Sequence, residues 1–240
     1  MADNFVKTKI IELFGFPNTG KSTTARTLCK FLNNSGLKTK ILVDKSSRCP
    51  VKDKLSPYFN YWTTFALYKE YIEACESEYD LLIADRGILD AEIWITLFSD
   101  YGNYKPQLID FKALINNNFI KKSIFRAYFY HSSIDLILKR EKTRTIRKNQ
   151  GRIVNRKVLT DYYKTYQQIK DELKYAEIIE VDTSKYSIND MANFVKKDIF
   201  MALKMIVPPL KSGPMPKNIQ SKNRQMRLEP GQNPVRMPFV

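Results

Sequence analysis

Apolar and polar positions alternate along the chain in two different rhythms. Lys9-Ile-Ile-Glu-Leu-Phe14 is a short β-branched and aromatic run, which predicts a strand. Ala25, Leu28, Phe31 and Leu32 then recur at helical spacing, predicting a helix from Lys21 to about Asn34 that Gly36 terminates. Further strands are predicted at Thr39–Val43, Asp80–Ala84, Phe125–Tyr130 and Ile178–Val181. Between them fall helical stretches at Phe65–Ala74, at Ile88–Asn116 with a break near Gly102 and Pro106, and after Tyr130 through Arg140. Val158–Tyr175, with Tyr162, Tyr166 and Ile169 at helix spacing, and Asn189–Met205 complete the pattern. Strands alternating with helices predict βαβ units, hence an α/β fold of three layers (α/β/α) around a mostly parallel five-stranded sheet. No internal repeat is present.

From Val207 the rhythm stops. Seven of the eleven prolines lie in the last 34 residues, and little apolar surface is available there to offset ordering entropy. The expected organisation is one domain over residues 1–206 and a flexible, basic, proline-rich tail over 207–240. With 43% apolar residues in 240, the chain carries enough for a full core. No apolar run reaches the ~18 residues that span a bilayer, and the first residues lack a signal-peptide layout. Three cysteines (Cys29, Cys49, Cys75) with no metal-ligand spacing suit a reducing, cytoplasmic setting. A single histidine excludes a His-rich metal site.

Net charge is +15, which favours polyanionic partners: nucleotides, or nucleic acid along the basic tail. The charge is clustered. Residues 139–156 hold eight Lys or Arg against one Glu, and 207–240 hold six against one.

Gly15-Phe-Pro-Asn-Thr-Gly20-Lys21-Ser22 matches G-x-x-x-x-G-K-[ST] between a predicted strand and a predicted helix. Glycines let backbone N–H groups turn inward onto phosphate, and the helix adds the positive end of its dipole. Pro17, Asn18, Thr19 and Thr23 complete the expected ATP-binding set; Lys21 is placed on the β- and γ-phosphates and Ser22 on Mg²⁺. Phe16 to Thr19 contain no charged residue, so charge developing in transfer must be met from elsewhere.

Asp85 and Arg86 follow the buried run Leu81–Ala84, at the carboxyl end of a strand, where open parallel sheets hold ligands. Asp85 is a candidate Mg²⁺ partner and Arg86 a candidate catalytic and acceptor-binding fork, against the plainer reading of a capping Asp and a solvated Arg. Arg140, Arg144 and Arg147 fall at i, i+4 and i+7, one helix face, and form a candidate lid over the triphosphate with Gly151 as hinge. The plainer reading is a solvated charged face. Trp62, within an aromatic stretch from Tyr58 to Tyr68, is a candidate for stacking a base, against the plainer reading of an aromatic row in the core, and Arg48 is a candidate for holding an acceptor phosphate.

Gly15–Ser22, the Asp85–Arg86 pair and Leu136–Arg144 together resemble the thymidylate kinase and deoxynucleoside kinase branch of the P-loop kinases, in layout over residues 8–206. That resemblance implies a P-loop fold, an acid–Arg pair beside the acceptor and an arginine lid over the phosphates. It also implies a carboxylate after the second strand that takes the acceptor proton or binds the sugar. Asp44 stands there, though as Val-Asp-Lys where those families usually carry Glu; the plainer reading is a turn Asp. Val181–Ser184 falls where the resembling kinases pass the adenine.

The leading reading is therefore transfer of the ATP γ-phosphoryl to a nucleoside or nucleoside monophosphate. A polynucleotide 5′-hydroxyl kinase, favoured by the basic charge, and a non-catalytic ATP-binding regulatory module are the alternatives. A homodimer is left open.

Overall fold

The computed structural model describes residues 8–54, 56–101, 113, 123–145, 154–173 and 176–206. Five strands form one sheet: β1 (Lys9–Gly15), β2 (Thr39–Leu42), β3 (Leu81–Asp85), β4 (Ile124–His131) and β5 (Ile178–Asp182). Their order is β2-β3-β1-β4-β5. Every pairing is parallel, more uniform than the mostly parallel sheet expected.

All-parallel strands must be covered on both faces, and the sequence supplies the apolar residues for it. In β1 six of seven residues are buried, and in β3 all five are. Among the described residues the helices are α1 (Lys21–Asn34), α2 (Pro57–Cys75), α3 (Ile88–Tyr101), α4 (Ile134–Thr145), α5 (Arg156–Ile169) and α6 (Ile188–Ile206). Right-handed crossovers put the β1–β2 connection on one face and the β3–β4 connection on the other. The packing agrees: α3 lies against α2 and α5, and α4 against α5. On the opposite face Phe31 of α1 meets Phe200 of α6 with ring centroids 6.5 Å apart. Under α5 the core is aromatic, with Phe129 and Tyr166 stacked at 3.7 Å and Phe14 5.3 Å from Phe129.

Element boundaries shift for identifiable reasons. The second helix begins at Pro57, eight residues before the expected Phe65, because Pro at N1 behind Ser56 starts a helix at no hydrogen-bond cost. α5 begins at Arg156, where the Asn155 side chain accepts the Val158 N–H at 2.9 Å. Val43, expected at the end of β2, lies outside the strand and is exposed. Of the helical stretch expected beyond Tyr101, the break at Gly102 and Pro106 lies outside the described residues, as does the tail 207–240. Among the described residues no helix is long and apolar enough to cross a membrane.

Candidate active site

The loops after β1, β2 and β3 converge at the carboxyl edge of the sheet. Gly15 (φ 107°) and Gly20 (φ 92°) adopt left-handed backbone, which costs glycine little. At Gly15 any side chain is also sterically excluded: a Cβ would lie 2.3 Å from the Tyr130 carbonyl oxygen of the neighbouring strand. The Thr19 hydroxyl donates to the Phe16 carbonyl at 2.6 Å and holds the loop closed. No side chain caps the first turn of α1, so its amide end is left to a ligand.

Pro17, Asn18, Thr19, Gly20, Lys21, Ser22 and Thr23 all line one cavity of about 610 Å³, with Asp85, Arg86 and Arg140 on its other walls. Lys21 is buried, and its ammonium donates to the carbonyls of Gly15 and Phe16 and to Thr19 Oγ1. Burial, and then the nearby Arg86 charge, lower the Lys21 pKa to about 7. Ser22 and Asp85 bring two hard oxygen donors to this cavity. Among the described residues no group of three or more His, Cys, Asp or Glu is gathered for a metal. A hydroxyl plus one carboxylate fits Mg²⁺, which keeps waters and phosphate oxygens in its shell.

A second cavity, of about 210 Å³, opens on the other side of the P-loop tip. Its walls are mainly apolar, with Phe59, Leu67, Ala91, Trp94 and Phe98. Pro17, Asp44 and Arg86 line both cavities and therefore form the seam between them.

Arg86 carries the seam. It sits at φ 67°, uncommon for a non-glycine residue, with its N–H held by the Leu13 carbonyl at 2.9 Å. Its Nε lies 3.3 Å from Asp44 Oδ2, and its NH1 lies 2.6 Å from Asp90 Oδ2. Burial opposes the charge, but Asp90 and Asp44 outweigh it, so the guanidinium pKa is raised. The other Asp44 oxygen accepts the Ser46 N–H at 2.7 Å, which fixes the turn after β2.

Asp90 was not singled out in the sequence, yet it ties the site together. One oxygen accepts the Gly15 N–H at 3.2 Å and the Tyr162 hydroxyl at 2.7 Å. The other accepts Arg86 NH1 at 2.6 Å and Trp94 Nε1 at 3.2 Å. The P-loop, the seam arginine, the cavity wall and α5 thus share one buried carboxylate. Beneath it, Glu12 is fully buried and accepts the N–H groups of Ile88 and Asp90, each at 3.1 Å, at the start of α3. Burial raises the Glu12 pKa to about 8. Gly87 is required here, because a Cβ would lie 2.3 Å from the Glu12 carboxyl carbon.

Arg140 bridges the P-loop and the end of β5: NH1 donates to Thr183 Oγ1 at 3.0 Å, and NH2 to the Thr183 carbonyl at 3.0 Å. NH1 also reaches the Asn18 carbonyl at 3.4 Å. It lies beside Val181–Ser184, where the resemblance puts the adenine. The Arg144 side chain, Arg147 and Gly151 lie outside the described residues, so the expected lid at 139–156 is described only at its two ends.

Two expected residues are not brought to the cavities. Arg48 is exposed and lines neither. Trp62 is half-buried on α2 and also lines neither; Trp94 of α3 takes the cavity wall instead.

No protein-family model and no curated protein sequence matches the chain. Solved structures do. The fold is one that deoxyadenosine kinases of known structure also adopt. Deoxyadenosine kinase from M. mycoides with bound dATP superimposes with TM-score 0.61, at 17% identity, over 80% of this chain and 99% of that one. The same kinase with bound dCTP gives TM-score 0.57, with identity and coverage unchanged.

Proposed function

We propose that the protein is a nucleoside kinase that moves the γ-phosphoryl of ATP to a nucleoside hydroxyl. One observation carries this reading: Asp44 and Arg86, ion-paired, line both the P-loop cavity and the aromatic cavity. A donor phosphate chain in the first and a flat acceptor in the second would meet at that pair. The fold shared with deoxyadenosine kinases supports the same assignment.

In this reading Asp44 takes the proton of the acceptor hydroxyl as its oxygen bonds to the γ-phosphorus and the bond to the ADP oxygen breaks. Products are a nucleoside monophosphate, ADP and a proton. Lys21, the α1 amides and Arg86 meet the charge on the transferred group. Ser22 and Asp85 would hold Mg²⁺, which would supply Lewis-acid neutralisation of the phosphate oxygens. Arg140, beside Thr183, steadies the adenine end.

A free hydroxyl suits this cavity better than a monophosphate acceptor. Of the three basic residues on its walls, Arg86 is shared between Asp44 and Asp90 and Lys45 pairs with Glu70, which leaves Lys54 set against the two carboxylates. An acceptor phosphate would face two carboxylates, Asp44 and Asp90, on the same walls. The test is γ-labelled ATP offered with free nucleosides, nucleoside monophosphates and 5′-hydroxyl oligonucleotides. Label is expected in nucleoside monophosphate; label confined to oligonucleotide, or to none of the three, overturns the reading.

A further inference from the structure

The aromatic cavity contains two polar groups that the fold itself does not use. Asn60 and Thr64 lie four residues apart on α2, hence on one helix face with Cβ atoms ~5–6 Å apart. Both line the cavity. Asn60 is 9% exposed and Thr64 2%, yet Asn60 Nδ2 and Thr64 Oγ1 have no hydrogen-bond partner.

Such groups are costly. A buried donor or hydroxyl left unpaired forfeits the hydrogen bond it made to water, and Asn and Thr are poor helix formers besides. The neighbour Thr63 shows the ordinary solution, turning its hydroxyl back to the Phe59 and Asn60 carbonyls at 3.0 Å each. Thr64 does not. Its hydroxyl and the Asn60 Nδ2 stay unspent in a slot walled by Phe59, Leu67, Trp94 and Phe98.

Resting on the nucleoside-kinase reading, we propose that Asn60 and Thr64 read the polar edge of the acceptor's heterocycle and set its specificity. A planar ring would lie among the aromatic walls with its 5′-hydroxyl toward Asp44. Its ring carbonyl, ring nitrogen or exocyclic amine would pair with the amide and hydroxyl on α2. An amide offers both donor and acceptor, and a hydroxyl either, so together they match a base edge carrying adjacent groups of both kinds. The ligand class is a nucleoside with an intact hydrogen-bonding base edge. A site of this kind rejects a shape-matched ligand lacking those groups strongly, by up to ~10⁴-fold, because its own polar atoms are then left unpaired.

The test compares the best natural nucleoside with its non-polar isostere (difluorotoluene deoxyriboside in place of thymidine, if thymidine is best) and with its 3′-deoxy analogue. The wild type should prefer the natural base at least ~100-fold in kcat/KM. In Thr64→Val, which keeps shape, and in Asn60→Leu, that preference should fall below ~10-fold through KM, with kcat and ATP affinity little changed. Asn60→Asp, an acceptor only, should shift preference toward bases bearing an exocyclic amine. Thr64→Val preserves packing and serves should Asn60→Leu fail to fold. If the wild type phosphorylates nucleosides but accepts the isostere equally, this inference fails while the kinase reading stands. If discrimination follows the 3′-hydroxyl instead, the base-edge assignment fails. If no nucleoside is phosphorylated, the kinase reading itself fails.

Discussion

Asp44 Oδ2 lies 3.3 Å from Nε of Arg86, whose NH1 is 2.6 Å from Asp90 Oδ2, so a single guanidinium spans two carboxylates, one in the turn after β2 and one on α3. Lysine, a point charge on a flexible stem, cannot occupy both positions at once. Arg86→Lys should therefore lower kcat by ~10²-fold or more while ATP affinity changes only a few-fold. Steady-state kinetics together with calorimetric ATP binding check this. Equal loss in both would move Arg86 from the transfer step to plain nucleotide binding.

Asp90 receives four donors, and its loss should be felt in folding as well as in rate. Asp90→Asn leaves the largely buried Arg86 with Asp44 alone and should cost ~3 kcal/mol of stability. Tyr162→Phe removes only one of the four bonds and should cost ~1 kcal/mol. Denaturant midpoints of the two variants measure the contrast. Similar losses in both would mean the ion pair contributes little.

Lys21, with a pKa lowered to about 7 by burial, must carry its charge to hold a triphosphate. ATP binding should then take up a proton above pH 7, and affinity should fall as pH rises from 7 toward 9. Calorimetry in two buffers of different ionisation enthalpy reads that proton directly. Lys21→Ala should abolish both the uptake and measurable ATP binding.

Much of this was legible in the chain, and the rest was hidden for physical reasons. The five strands and the phosphate loop are visible because buried parallel strands and glycine turns leave strong local signals. The seam is partly visible, since Asp44 and Arg86 each follow a strand. The face of α2 is not legible: aromatic or other apolar residues crowd 58–68 around the helix, so nothing in the sequence separates exposed Tyr58 and Phe65 from cavity-lining Phe59. That is why Trp62 was expected where Trp94 stands. Asp90 was hidden because an acid in a first helical turn ordinarily needs no partner beyond the dipole. Its i, i+4 spacing from Arg86 was the available signal.

Glu12 gives a test of the scaffold beneath the site. Its folded pKa, about 8, lies above the ordinary 4.5, so the native state holds a proton that the unfolded state releases. Its contribution to stability is thus full below pH 4.5 and is lost as pH rises to about 8, on the order of a few kcal/mol. Glu12→Gln, which stays neutral, should match the wild type near pH 5 and melt higher at pH 8–9. Parallel melting curves across that range would show that Glu12 is charged in the fold.

The most direct measurement of the central claim is single-turnover phosphoryl transfer from ATP to a nucleoside by wild type and Asp44→Asn, with the product atom identified by phosphorus NMR. The account predicts a 5′-monophosphate from the wild type and transfer at least ~10²-fold slower from Asp44→Asn, at unchanged ATP affinity. Transfer at the wild-type rate by Asp44→Asn would contradict it.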